Sequence, residues 1–189
     1  MRRLQKDMTA FFQELSPGES RALVFGEGDM GAKTVLIGEA PGEQEALQGR
    51  PFVGRAGKNL DELLELAGLE RQSLYITNTV KFRPTKVSAA GRLVNRPPTK
   101  EEIELFLPWL KKEIALVGPS RVVTLGNVPL KALLGPKATI GEMHGQIAQW
   151  QGIQLYPLYH PASLIYNRSL RPVYEQDVCA LGELIRRED

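Results

Sequence analysis

The chain holds one cysteine, Cys179, among 189 residues. A single thiol cannot close an internal disulfide, and it excludes any metal centre that needs several thiolates. No apolar run approaches the roughly 18 residues a membrane span requires. The N-terminus, MRRLQKDMTAFFQEL, lacks the apolar core and cleavage site of a secretory signal and reads as a helix. The expected compartment is therefore the cytoplasm. Neither a GxGxxG nor a GxxxxGK[ST] loop occurs, so a phosphate-cradling nucleotide enzyme has no obvious seat. Histidine is scarce, with two in the chain. Acidic residues are missing from Arg71 to Lys100, where seven basic ones stand: Arg71, Lys81, Arg83, Lys86, Arg92, Arg96 and Lys100. Internal repeats and low-complexity linkers are also missing.

What remains is ordinary for a globular protein: 42% hydrophobic, 24% charged, net charge +2. The length fits one domain, residues 1–189, with room for a real core. Four apolar, β-rich runs stand out: TVLIGEA (34–40), SLYITNTV (73–80), SRVVTLG (120–126) and IQLYPLYH (153–160). Helical patterns separate them. One spans 57–68 with Leu60, Leu63 and Leu64 on a face. A second opens on Thr99 with Glu102 as a capping box and runs to Gly118. Shorter and C-terminal helices follow near 128–134 and 173–187, and residues 143–150 leave room for a hairpin strand. This alternation predicts an α/β fold, a three-layer α/β/α sandwich around a central four-stranded parallel sheet.

In open parallel sheets, ligands bind at the carboxyl ends of the strands. The unusual polar residues fall there, at Gly38-Glu39, Thr77-Asn78 and Tyr159-His160. The most informative stretch is GEAPGEQEALQGRPFVGRAG (38–57), which has three carboxylates (Glu39, Glu43, Glu45) and one aromatic, Phe52, flanked by proline and glycine. Phosphate-cradling loops do not spend three carboxylates on an anion, so the loop suits a neutral, flat, polar ligand. Phe52 could stack on a planar ring. Asn78, with donors and an acceptor on one amide, could read an edge that carries both. The basic segment beside these strand ends, read as a loop, suits phosphates.

GEAPGEQEALQGRPFVGRAG, then YITNTVKFRPT, then HPASL resembles the three signature segments of the uracil-DNA glycosylase superfamily, closest to the bacterial and archaeal family 4 enzymes. The resemblance implies removal of uracil from DNA as a step of base-excision repair, by a monofunctional glycosylase that leaves an abasic site. It implies a uracil site of Gly38, Glu39, Ala40, Gly42, Phe52, Asn78 and His160, with Glu39, Glu45 and His160 as catalytic groups. It further implies DNA contacts from Arg55, Lys81, Arg83, Ser163, Leu164, Arg168 and Arg171, with Leu164 filling the space of the flipped base.

Two departures stand beside the resemblance. Better-known members place a water-activating aspartate where this chain has Ala40, so the water would have to be held by Glu39 or Glu45, or by main chain. Family 4 enzymes usually bind an iron–sulfur cluster through four cysteines, and here Phe82 and Phe106 occupy two of those positions. The N-terminal pair is missing as well, within MTAFFQELSPGESRAL. No cofactor and no metal are expected; packing of Phe11, Phe12, Phe82 and Phe106 would replace the staple. The basic loop from Phe82 to Pro98 looks longer than in most family 4 members; it has no histidine of the kind with which some long-loop relatives trap uracil-DNA covalently, so trapping is not expected. The expected partner is uracil-containing DNA, with no membrane and a monomeric state. The competing reading is a non-catalytic protein that binds uracil or abasic DNA.

Overall fold

The computed structural model describes residues 1–15 and 21–187. The middle of the N-terminal segment that replaces the first cysteine pair, 16–20, lies outside them. In chain order the helices are α1 (Arg2–Leu15), α2 (Glu43–Gln48), α3 (Arg55–Leu66), α4 (Lys100–Val117), α5 (Asn127–Leu134), α6 (Ile140–Met143), α7 (Ser163–Tyr166) and α8 (Arg171–Arg186). The strands are β1 (Glu27–Gly28), β2 (Thr34–Gly38), β3 (Tyr75–Asn78), β4 (Thr85–Val87), β5 (Leu93–Asn95), β6 (Arg121–Leu125), β7 (Ala148–Trp150) and β8 (Ile153–Leu158). No helix among the described residues is long and apolar enough to cross a membrane.

The main sheet has the order β1-β3-β2-β6-β8-β7. Its four central strands are the expected parallel ones, in register Val35↔Tyr75, Val35↔Val122 and Val122↔Leu155. Two antiparallel edges extend it to six strands. The predicted hairpin strand is β7, paired to β8, and the two-residue β1, paired to β3, was not foreseen. A strand this short carries no periodic signal.

Helices cover both faces, so β2 and β6 are buried throughout and read as continuous apolar runs. Alternation divides the core. Leu36, Ile76, Val123, Tyr156 and Leu158 pack against Leu60, Leu63 and Leu64 of α3 and Tyr174, Val178 and Leu181 of α8. Val35, Ile37, Tyr75, Val122 and Leu155 face Leu110 and Ile114 of α4 and Leu130 of α5. The Thr99 capping box forms as read: its hydroxyl accepts the Glu102 N–H at 3.2 Å, and Glu102 Oε2 accepts the Thr99 N–H at 2.7 Å.

The basic segment is a correction. Composition marked it as loop, yet β4 and β5 pair into a two-stranded ribbon, with Thr85↔Asn95, Lys86↔Val94 and Val87↔Leu93.

A third apolar cluster joins α1, β3's exit and the start of α4: Met8, Phe12, Val80, Phe82 and Phe106. The rings of Phe12, Phe82 and Phe106 form a triangle with centroids 5.6, 5.9 and 5.7 Å apart. Phe11 is not part of it; it lies on the outer side against Trp109, 5.5 Å away. The expected four-ring cluster is thus three rings plus a surface pair.

Candidate active site

The carboxyl ends of β2, β3 and β8 meet at a cleft of about 350 Å³, within the usual range for a small-ligand site. Its lining includes Ala40, Gly42, Glu45, Phe52, Asn78 and His160. Three widely separated sequence segments therefore converge as the strand-end argument required.

Phe52 is not the exposed aromatic its flanking residues suggested. It is 5% exposed and takes a left-handed backbone, φ 52°. That turn folds the ring inward against Gly38 and His160, the latter 5.9 Å away between centroids. Gly38 is required by this approach: a Cβ there would lie 2.3 Å from Asn78 Oδ1 and 2.5 Å from the Phe52 ring tip. Gly126, at the end of β6, plays the matching part under His160, with φ 90° and only 3.1 Å from a hypothetical Cβ to that of His160.

Asn78 ends β3 and is 3% exposed. No hydrogen bond to its side-chain amide is seen among the described residues; the amide opens onto the cleft and meets solvent there.

His160 follows β8. Its Nδ1 accepts the backbone N–H of Ala162 at 3.1 Å. The imidazole proton must then reside on Nε2, which makes that nitrogen a donor. Burial pushes the histidine pKa down to about 4, against a smaller opposing pull from the Glu45 charge. The folded protein thus holds His160 neutral while an unfolded chain protonates it below about pH 6.5. Stability from this residue is lost as pH falls through that window. An NMR titration of the imidazole should show no His160 transition between pH 5 and 8. A midpoint near 6.5 would mean the ring is not held as described.

Glu45 sits in the first turn of α2 and serves the loop. Its Oε1 accepts the N–H groups of Val53 at 3.0 Å and Gly54 at 2.7 Å, and its Oε2 accepts that of Gly42 at 3.1 Å. Three of about four acceptor positions are used, and the carboxylate still lines the cleft. Glu39 is placed differently. It is absent from the cleft lining, and burial holds its carboxyl above the usual carboxylate range.

Lys81 requires a correction. It is fully buried, so its ammonium is not at the surface where a phosphate could meet it. It bonds Glu113, Thr77 Oγ1 at 2.6 Å and the Asn78 carbonyl at 2.8 Å. Glu113 in turn accepts the Tyr75 hydroxyl at 2.8 Å. This closed network lies directly behind Asn78. A basic letter in a basic segment gave no hint of a carboxylate partner 32 positions later.

The other expected DNA contacts lie at the surface. Arg55, at the start of α3, lines both the main cleft and a second one of about 400 Å³ beside it, with Asn59, Leu164, Arg168 and Arg171. Arg171 also pairs with Glu175 at 2.7 Å. Leu164 is partly buried against the α3/α8 core rather than free at a tip. Ser163 caps the turn by donating its N–H to the His160 carbonyl at 2.8 Å. Arg83 is half-buried, giving Nε to Asn95 Oδ1 at 2.7 Å and a second N–H to Glu43 at 3.2 Å.

Outside the three signature segments, sequence reasoning missed three lining residues: Asn95 from the ribbon, and Ile165 and Tyr166 from α7. Tyr166 is 87% exposed at the rim. An apolar-aromatic pair just past a strand-end histidine was the available signal.

Phe52, Asn78 and His160 thus line one cleft at the strand ends of an open α/β sheet. The chain belongs to the uracil DNA glycosylase superfamily, whose family model matches residues 25–180. It is 38% identical over 168 residues to the type-4 uracil-DNA glycosylase of Sulfurisphaera tokodaii, covering 84% of this chain and 73% of that one. The type-4 enzyme of Thermotoga maritima is 38% identical over 170 residues, with 88% and 84% covered. The fold is shared with the solved structure of wild-type Pedobacter heparinus SMUG2, at TM-score 0.58 and 13% identity, with 99% of this chain and 85% of that one covered.

The iron–sulfur cluster of family 4 does not fit this chain. Such clusters are held by several thiolates, and Cys179 is the sole cysteine. Phe82 and Phe106, which the resemblance places at two of the ligand positions, form a tilted pair 5.7 Å apart in the α1/α4 cluster.

Proposed function

We propose that this chain hydrolyses the N-glycosidic bond of uracil in DNA and leaves an abasic site. The observation that carries the reading is the side-chain amide of Asn78, which opens onto a cleft that Phe52 and His160 also line. The flipped uracil stacks on Phe52, an interaction worth ~1–3 kcal/mol, which offsets part of the few kcal/mol that base flipping costs. Asn78 gives and accepts across the O4/N3 edge. Bond cleavage leaves negative charge on the departing uracil, and His160 Nε2–H stabilises it as a neutral donor that need not lose a proton.

With Ala40 in the first motif, the water falls to a neighbouring carboxylate. Glu45 is our assignment: it lines the cleft, its position is held by three backbone N–H groups, and one acceptor site is left for a water proton. Its charge also favours the cationic sugar of the transition state. Among the described residues no lysine lines the cleft, and Lys81 is engaged with Glu113. Schiff-base chemistry and strand cleavage are therefore not expected. Ser163, Arg55, Arg168 and Arg171 border the path on which the DNA backbone would lie.

The alanine at position 40 also favours a second reading, a protein that binds uracil or abasic DNA without turnover. Incubation with a uracil-containing oligonucleotide followed by alkali separates the two. The proposal expects breaks that vanish in Asn78→Ala; retention of DNA without breaks supports the binding protein instead.

A further inference from the structure

The β4–β5 ribbon carries a surface that the hydrolysis mechanism does not use. Its root is fastened: Arg96 donates to the Thr85 carbonyl at 3.1 Å and forks onto Glu102 at 2.7 and 2.6 Å. Arg83 holds Asn95 Oδ1, which leaves the Nδ2 group beside Gly42, and this side chain lines the base cleft. Side chains alternate along a strand, and directly paired residues share a face. Thr85, Asn95, Val87 and Leu93 are therefore on one face. The face that meets the flipped base at its root continues outward to two opposed apolar side chains, Val87 and Leu93, which are 68% and 62% exposed. Single exposed apolar residues need no explanation. A facing pair that continues a ligand site does.

Continuity with the base cleft identifies the occupant: a nucleotide held there brings its neighbours along the same face, whose exposed apolar pair suits sugars and base edges. The exposed cations Lys86 and Arg92 lie on the ribbon's other face by the same alternation. We propose that the ribbon lies along the substrate DNA, with Asn95 Nδ2 on the sugar-phosphate of the flipped nucleotide and Val87 and Leu93 against the sugars and base edges of its neighbours. The 163–171 segment holds the same DNA from the other side of the cleft. This rests on the uracil-pocket reading and adds a second grip to it.

Both apolar residues are exposed, so the Val87→Ser/Leu93→Ser variant should keep the wild-type melting temperature. Its affinity for an oligonucleotide with a stable tetrahydrofuran abasic site should fall about tenfold, from lost contact with neighbouring nucleotides. Inhibition by free uracil, which occupies the cleft alone, should stay unchanged. Leu116→Ser, on the last turn of α4, is the matched surface control and should alter neither. Abasic-DNA affinity equal to wild type overturns the ribbon's role, as does an equal loss in the control. If wild type neither releases uracil nor is inhibited by it, the pocket reading itself fails, a result distinct from an active wild type with an unaffected variant.

Discussion

Replacing His160 with alanine should slow uracil release by about 10²–10³-fold in single-turnover reactions at saturating protein, the usual cost of losing one preorganised donor to a developing anion. The structure explains why the effect should lie in the chemical step. Nδ1 is committed to the Ala162 N–H, so the ring has one orientation and one free donor. Burial keeps the pKa near 4, so the donor is neutral throughout the physiological range. Abasic-DNA affinity should change little, since this contact strengthens only as charge develops on the base. A variant that retains the wild-type single-turnover rate would remove His160 from the mechanism.

Lys81→Met should destabilise the fold by about 3–5 kcal/mol, because Glu113 would be left as a buried charge without its partner. Tyr75 and Thr77 would still hydrogen-bond that carboxylate but cannot neutralise it. The pair is better tested by a cycle than by one variant. Lys81→Met/Glu113→Leu should recover most of the loss, since apolar replacement of a whole buried pair is often neutral or favourable. Urea denaturation measures all four corners. A single variant costing under about 1 kcal/mol, or a double variant worse than the sum of the singles, would mean the pair is not the closed network described.

These two residues also show how far the sequence could be read. The four parallel strands were legible because strands buried on both faces are continuous apolar runs, and SRVVTLG can be little else. The helix start at Thr99 was legible because both halves of its capping box are three residues apart. The convergence of Asn78 and His160 followed from strand ends; Glu39, expected beside them on the same argument, does not line the cleft. What stayed hidden depends on partners distant in the chain. Lys81 reads as a phosphate contact until Glu113 is placed behind it. Glu45 reads as one carboxylate among three until its oxygens are seen on the N–H groups of residues 42, 53 and 54. Phe52 reads as exposed because nothing in Pro-Phe-Val announces a left-handed φ. The ribbon has three-residue strands, too short for alternation to stand out from a basic loop.

The most direct test of the proposed reaction is the mass of a single-stranded oligonucleotide with one uracil after incubation with excess wild-type protein. The expected product is the intact strand with its uracil exchanged for hydroxyl, accompanied by free uracil and lost when Asn78 or His160 is replaced by alanine. A strand of unchanged mass, one already cut before alkali, or one bonded to the protein would contradict hydrolysis at the Asn78–His160 cleft.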